Sequence, residues 1–150
     1  MPRIKVIAFY QELINRLKSL PGVQAAGISM SLPPNQLQIS NDFGIEGRPL
    51  PQRRPVAEGL TISPDYFTAL GVPLLRGRFF TDADKAGVPP VLIISEAMAR
   101  RFFPNEDPVG KRLQTGDPSP NAPWQTIVGV VGNVKYAGLK AEETITMYAP

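Results

Sequence analysis

Apolar residues recur every three or four positions near the start of the chain. The residues that set this repeat are Val6, Tyr10, Leu13, Leu17 and Leu20. Spacing of this kind places the side chains on one face of an α-helix. The pattern therefore predicts a helix over residues 4–20 that ends at Pro21-Gly22. Its charged residues Glu12, Arg16 and Lys18 are expected to face water.

Short apolar or alternating segments, separated by prolines and glycines, predict extended structure after this helix. Strands or extended pieces are predicted within residues 23–34, 43–55, 56–63, 89–95, 105–115, 124–134 and 135–150. A loop is predicted over 35–43. Segment 124–134 is apolar on both faces, so we expect it in the middle of a sheet. We expect the last strand to leave an unpaired edge on which a second copy could pair.

Residues 63–80, SPDYFTALGVPLLRGRFF, predict a helix of two turns followed by an extended piece. Ser63 is expected to cap the helix, with Pro64 in its first turn. Gly71 is expected to end it. The side chains predicted to face inward are Tyr66, Phe67 and Leu70. Gly77 is expected to form a bend or bulge in the extended piece.

Two more local signals follow. Thr81 and Asp84 resemble a capping box with aspartate in place of glutamate. Ser95 is expected to cap a helix over residues 96–103 that ends before Pro104. Its core-facing residues are expected to be Ala97, Met98 and Phe102. Because strands and short helices alternate, we predict an α+β fold with α/β-like character.

The composition narrows the possible functions. The 150 residues include 17 prolines and 13 glycines, which indicates an ordered chain with many rigid turns. There is no cysteine and no histidine, so disulfides, thiolate metal sites and histidine-based catalysis are excluded for this chain. The formal charge of +3 is too small to indicate nucleic-acid binding. No segment is long and apolar enough to predict a membrane span.

Arg76 and Arg78 are the first candidates for a binding site. Two arginines two positions apart on an extended segment share a face, as an anion clamp requires. Arginines that are solvated or ion-paired beside a bulge are the more common arrangement, and we favour it here.

The other candidate motifs are also better explained by structure. The pair of glycines Gly129 and Gly132 lies inside a strand and lacks a phosphate-binding lysine. Glu142 and Glu143 are adjacent, so on an extended chain they point to opposite faces. Asp82 and Asp84 suit a capped turn. The basic pairs Arg100-Arg101 and Lys111-Arg112 lie near Phe102 and Phe103, but those rings are expected on a buried helix face. We therefore predict no catalytic, cofactor-binding or metal-binding residues, and we assign no partner-binding residues.

Several blocks together resemble a known family. They are LKSLPGVQAAGISMSLPP (17–34), ISPDYFTALGVPLLRGRFFTDAD (62–84), PPVLIISEAMARRFFPNEDPVGKRL (89–113) and WQTIVGVVGNVKYAGL (124–139). In order and spacing they resemble the MacB-like periplasmic core domain of ABC-transporter permeases, in particular the large permease family first noted in acidobacteria. In this resemblance Arg76-Gly77-Arg78 belongs to the structural signature of the family.

The resemblance implies a domain on the periplasmic side of the cell inner membrane, between two membrane helices of a permease. It implies a porter-like βαβ subdomain over residues 1–62 and 124–150, with a smaller mixed α/β subdomain inserted at 63–123. It further implies a second permease copy, an ABC ATPase subunit or domain that hydrolyses the ATP, and a possible periplasmic adaptor. No cofactor and no nucleic acid are implied. We expect the chain to be a fragment of such a permease.

The resemblance implies a function as a non-catalytic domain that couples ATP-driven membrane motion to export and contacts partner subunits. One alternative is a periplasmic module that binds a lipid, a peptide or a lipoprotein in a cleft. A carboxylate-based hydrolase is a further alternative, which would need two carboxylates converging in a cleft.

Overall fold

A computed structural model of the chain describes residues 2–33, 39–135 and 142–150. In this part of the chain helices and strands alternate, and the predicted α+β class is confirmed. The elements are α1 (Arg3–Lys18), β1 (Ser40–Ile45), β2 (Val56–Thr61), α2 (Tyr66–Leu70), β3 (Leu74–Gly77), β4 (Val91–Ser95), α3 (Glu96–Phe102), β5 (Arg112–Thr115), β6 (Gln125–Val131) and β7 (Thr146–Ala149).

The strands form one mixed sheet that closes on itself. The order β6-β4-β7-β2-β1-β5 returns to β6, because β5 also pairs with the first residues of β6. We call these six strands the strand ring. Strand β3 lies outside the ring and pairs with the last residues of β6, on the edge that β5 leaves free. β4 is parallel to β6 and β2 is parallel to β7, whereas the remaining pairs are antiparallel.

Side chains alternate between the two faces of each strand, so one face of every strand in the ring points inward. Every strand of the ring contributes apolar residues to one buried cluster, which therefore fills its interior. The strand residues of this inner cluster are Phe43, Ala57, Leu92, Ile94, Leu113, Ile127, Val130 and Met147. Helix α3 adds Met98, and the chain after it adds Phe103, at the end of the ring where β4 finishes. α3 thus covers one end of the ring.

A second cluster lies on the outer face of the same strands. Leu60, Ile93, Val131 and Tyr148 project away from the inner cluster and meet α2 and the chain after β3. The Phe67 ring is fully buried and stands edge-on to Tyr148, with 4.8 Å between ring centroids. Four strands are therefore covered on both faces, and the prediction that segment 124–134 is central is confirmed by the neighbours of β6.

Several local predictions are confirmed. Gly71 ends α2 in the left-handed conformation, with φ +70°. The Ser95 hydroxyl accepts a hydrogen bond from the Met98 N–H at 3.3 Å and so caps α3. Asp84 accepts the Thr81 N–H at 2.8 Å, as a capping box requires, although the chain forms a turn there and not a helix.

Other local predictions are wrong. Ser63 does not cap α2, because its hydroxyl accepts the Ile28 N–H at 2.8 Å and the helix begins only at Tyr66. Leu70 is 42% exposed, since α2 is too short to present three residues to the sheet. The strand predicted within 23–34 is reduced to one bridge between Ser29 and Ile62.

The predicted course of two strands also differs from the structure. β1 begins at Ser40, inside the predicted loop, because its first residues pair with β2. β7 is not an edge strand: it pairs with β2 on one side and β4 on the other. The division of the chain at residues 62 and 123 stays a prediction. Residues 63–123 supply β3, β4 and β5 to the same sheet as the flanking ranges.

Candidate functional site

The N-terminal helix α1 is the surface that differs most from the rest of the domain. The predicted helix is confirmed, with bounds Arg3–Lys18, but none of its residues is buried. The apolar stripe predicted from the spacing faces outward, and even its least exposed leucines, Leu13 and Leu17, are 38% and 39% exposed. A helix of this length extends about 24 Å. The described residues therefore leave an amphipathic rod uncovered along its apolar face.

One ion pair connects the C-terminal end of this rod to the body of the domain. The Lys18 ammonium contacts the Asp65 carboxylate immediately before α2. The Phe67 side chain of α2 is buried against the strand ring. The end of α1 is thus ion-paired to the residue that precedes α2, a helix packed on the outer face of the ring.

Arg76 and Arg78 do not form an anion clamp, because each already has its own carboxylate. Arg76 lies 3.7 Å from Asp107, in the loop after α3. Arg78 makes two hydrogen bonds of 2.7 and 2.9 Å to the oxygens of Asp84. The favoured interpretation as ion-paired arginines is confirmed by these contacts.

The residue between the two arginines, Gly77, must be glycine for the backbone to adopt this conformation. Gly77 has φ +72°, and a Cβ built on it would lie 2.1 Å from the carbonyl oxygen of Val128 on β6. Gly129, on β6, faces an equally close contact with the neighbouring backbone. A Cβ built on it would lie 2.3 Å from the carbonyl oxygen of Arg78. The two backbones touch where β3 joins β6. The prediction of strand packing is therefore confirmed for Gly129, whereas Gly132 lies just after β6, where an added Cβ would lie 3.0 Å from the Pro73 ring.

Asp84 is the most perturbed carboxyl of this region. Its hydrogen bonds from Arg78, together with the Thr81 N–H, lower its pKa from 3.8 to about 2 against an opposing effect of burial. Its side chain is only 8% exposed. A folded-state pKa below the unfolded value means that ionised Asp84 stabilises the fold above the unfolded pKa. That contribution is lost as the pH falls through the folded pKa.

We expect Asp84→Asn to lower the free energy of unfolding by about 1–2 kcal/mol near neutral pH, a value reduced for the partial exposure of Arg78. The difference from the parent chain should shrink between pH 3.8 and about 2, where the parent carboxyl takes up its proton. Urea unfolding at neutral and acid pH measures both quantities. Asp82→Asn, at an exposed carboxylate of the same turn, is the matched control. If Asp84→Asn lowered the free energy of unfolding equally at neutral pH and at about pH 2, this account would be contradicted.

Three other candidate residues, Arg100, Lys111 and Arg112, are held in surface ion pairs. Arg100 pairs with Glu143, and Arg112 pairs with Glu46, whose pKa this contact lowers. Lys111 lies 3.4 Å from Glu106. Within residues 2–33, 39–135 and 142–150, no group of three acidic, histidine or cysteine side chains is placed to hold a metal ion.

Sequence reasoning missed Arg54, a nearly buried residue near the end of the β1–β2 connection. Its side chain is 11% exposed and lies 3.1 Å from the Asp42 carboxylate. It also donates to the backbone carbonyls of Gly116 and Gln114. It therefore fastens the ends of β1 and β5 together. No spacing in the sequence signals this role, because the partners are far apart along the chain.

Solved structures share this fold. The periplasmic region of MacB from Actinobacillus actinomycetemcomitans matches with a TM-score of 0.58 at 20% identity, over 93% of this chain and 54% of that one. The extracellular domain of the noncanonic ABC-type transporter YknZ from Gram-positive bacteria matches with a TM-score of 0.51 at 23% identity, over 93% and 61%. At such identities the likeness establishes the fold alone.

The sequence itself decides the family. The profile of the MacB-like periplasmic core domain matches residues 5–148. The chain belongs to the MacB-like periplasmic core domain family. The family resemblance drawn from the four sequence blocks is thus confirmed.

A curated relative agrees with this family assignment. The macrolide export ATP-binding/permease protein MacB of Rhodospirillum rubrum is 25% identical, over 67% of this chain. The chain spans 19% of that protein's length and 54% of the Actinobacillus MacB structure. None of the helices in the described ranges is long and apolar enough to cross a membrane.

Proposed function

We propose that this MacB-like periplasmic core domain acts as a non-catalytic, force-transmitting part of an ABC-transporter permease. The observation that carries the proposal is α1, an amphipathic rod with no buried residue that is joined at one end to a well-packed body. A helix that contributes nothing to the core of its own domain is available to carry movement into that domain. In this proposal the domain receives its motion from the membrane part of the permease.

The strand ring suits the receiving end of such a lever. Its interior is filled by side chains from all six strands, and α3 covers one end. Close-packed interiors have low compressibility and pass displacement on rather than absorbing it. Movement of α1 would thus shift the ring as one body and not deform it.

The partners follow from the same proposal. ATP hydrolysis belongs to an ABC ATPase subunit or domain, and the exposed apolar stripe of α1 is suited to another helix of the permease or of a second copy. A periplasmic adaptor is a further candidate partner. The domain takes no cofactor and binds no nucleic acid in this proposal.

The cavity of about 150 Å³ that the described residues form does not support the alternative of a lipid-binding module. A cavity of about that volume accommodates a molecule the size of benzene. A long acyl chain has more than twice as many carbon atoms, so it would remain mostly in water.

The periplasmic location is tested by labelling a single introduced cysteine. The 150 residues contain no cysteine, so Asn121→Cys, in the exposed loop before β6, gives one new thiol in this region of the full-length permease. We expect a small membrane-impermeant maleimide to label it in intact cells, while the permease without the substitution shows no new labelling at this site. Labelling that requires permeabilised cells would contradict the proposed location.

A further inference from the structure

In the part of the chain that the structure describes, the end of the strand ring opposite α3 is open and forms a cavity of about 150 Å³. It lies where β2, β5 and β7 finish and where β1, β4 and β6 begin, so every strand of the ring contributes to its wall. Its lining residues are Met30, Ile39, Asn41, Gly59, Leu60, Thr61, Leu92, Thr115, Gln125, Met147 and Ala149, of which Leu60 also belongs to the outer cluster.

The cavity is the continuation of the ring interior. Asn41 lies two residues before the buried Phe43, and Thr115 lies two residues after the buried Leu113. Gln125 precedes the buried Ile127 by the same step. Residues two apart on a strand point to the same side. The ring therefore changes along its axis from an apolar interior to an open end with polar side chains.

The walls combine an apolar base with an apolar rim. Leu92 and Met147, each 3% exposed, form the base. Met30 and Ile39, which are 53% and 37% exposed, lie at the rim. Methionine side chains adapt their shape to different apolar groups. Among the described residues that line the cavity, none is acidic or basic, so a ligand that carries a charge would lose its hydration without gaining an ion pair from them.

Two carboxamides supply the polar contacts. The Oε1 atom of Gln125 accepts a hydrogen bond from the Thr115 hydroxyl at 3.1 Å, and this leaves the Gln125 amide N–H groups available. The Asn41 side chain makes no hydrogen bond within the described ranges. Its Nδ2 lies 2.4 Å from the position that a Cβ on Gly59 would take, so the missing side chain of Gly59 makes room for it.

We infer that the open end of the ring binds one uncharged apolar side chain of a polypeptide, with the adjoining peptide group hydrogen-bonded to Asn41 and Gln125. The volume suits a group of leucine or phenylalanine size. A carboxamide both donates and accepts, which matches the N–H and C=O of a peptide group. The inference goes beyond the proposed lever function and does not depend on it.

The methionine side chains of this protein can report ligand binding by NMR. Met30 and Met147 line the cavity, whereas Met98 is buried on the α3 side of the ring. Methyl NMR of methionine-labelled chain should therefore show shifts of Met30 and Met147 on titration with N-acetyl-leucinamide, with Met98 unmoved.

For a ligand of about a dozen heavy atoms we expect a Kd on the order of 1 mM. N-acetylglycinamide should bind at least about tenfold more weakly, because it lacks the apolar side chain. N-acetyl-lysinamide should likewise bind weakly, because its charge finds no partner.

Two variants test the location of the site. Ala149→Leu fills the cavity and should abolish the saturable shift of Met30, whereas Ala86→Leu, the same change at an exposed loop position, should leave it intact. Asn41→Ala keeps the cavity and should weaken binding about tenfold through loss of one hydrogen-bonding group. An unchanged Met98 signal in each variant shows that the ring is still folded.

Three results of the titration with N-acetyl-leucinamide would overturn the inference. They are shifts that do not saturate, shifts that involve Met98 as strongly as Met30, and binding that survives both Ala149→Leu and Asn41→Ala. Tighter binding of a neutral single-chain lipid than of N-acetyl-leucinamide would assign the cavity to lipid and would also contradict it.

Discussion

Replacing Gly77 with alanine is expected to lower the free energy of unfolding by about 3 kcal/mol or more, the largest loss we expect from one added methyl group in this domain. Gly77 has φ +72°, and the left-handed conformation costs an L-residue about 1–2 kcal/mol. The added Cβ would also lie 2.1 Å from the Val128 carbonyl oxygen, so β3 and β6 would have to separate. Backbone shifts of this kind cost about 1–3 kcal/mol more.

A second glycine serves as a control that separates the cost of the close contact from the cost of the left-handed conformation. Gly87 has φ +92°, and no atom lies within 4 Å of the position that an added Cβ would take, so Gly87→Ala carries the conformational strain without the contact. We expect Gly87→Ala to cost about 1–2 kcal/mol in urea unfolding. Arg76→Ala, which removes an exposed ion pair, should cost about 0.5 kcal/mol. If Arg76→Ala lowered the free energy of unfolding as much as Gly77→Ala, this segment would be stabilised by its arginines and not by the glycine conformation, which would contradict this account.

Local features of the fold could be predicted from the sequence where the signal and its cause lie close together. Ser95 caps α3 through the Met98 N–H, only three residues away, and Gly71 ends α2 through its own backbone conformation. The apolar run that becomes β6 is long enough to predict a central strand. Ser63 shows the limit of such reasoning. Its hydroxyl could have capped the helix, but the distant Ile28 N–H occupies it.

Closure of the ring could not be predicted, because it depends on contacts between distant segments. β5 pairs with both β1 and β6, and nothing in the spacing of Arg112–Thr115 shows that this short strand has two neighbours. The expectation of an edge position for the last strand fails for the same reason. Its place between β2 and β4 is set by long-range register and not by its own residues.

The candidate site could also be predicted only in part from the sequence. Periodicity predicts that α1 is amphipathic, but it does not show what covers the apolar face. In the described residues nothing buries it, although a stripe of this kind usually faces a core. The cavity at the open end of the ring has no signal in the sequence, since Asn41, Thr115 and Gln125 come from three strands that meet only in the fold.

The second large effect that we expect concerns α1 in the full-length permease. Asn15→Pro removes a helical N–H and clashes with the preceding turn, which costs a helix interior about 3 kcal/mol and bends or breaks the rod. Because α1 buries no residue, we expect the 150-residue chain with Asn15→Pro to unfold at an unchanged urea concentration, as followed by near-UV circular dichroism. Asn15→Ala keeps the helix and is the matched control.

The most direct test of the lever is therefore a distance measurement in the full-length permease with its ATPase. Spin labels at Asn121→Cys report the separation of the domains of two copies, with and without nucleotide. We predict that the separation changes with nucleotide in the Asn15→Ala permease, and that Asn15→Pro abolishes the change while ATP hydrolysis continues. An equal nucleotide-dependent change in both variants would show that movement reaches the domain without a rigid α1, and would contradict the account.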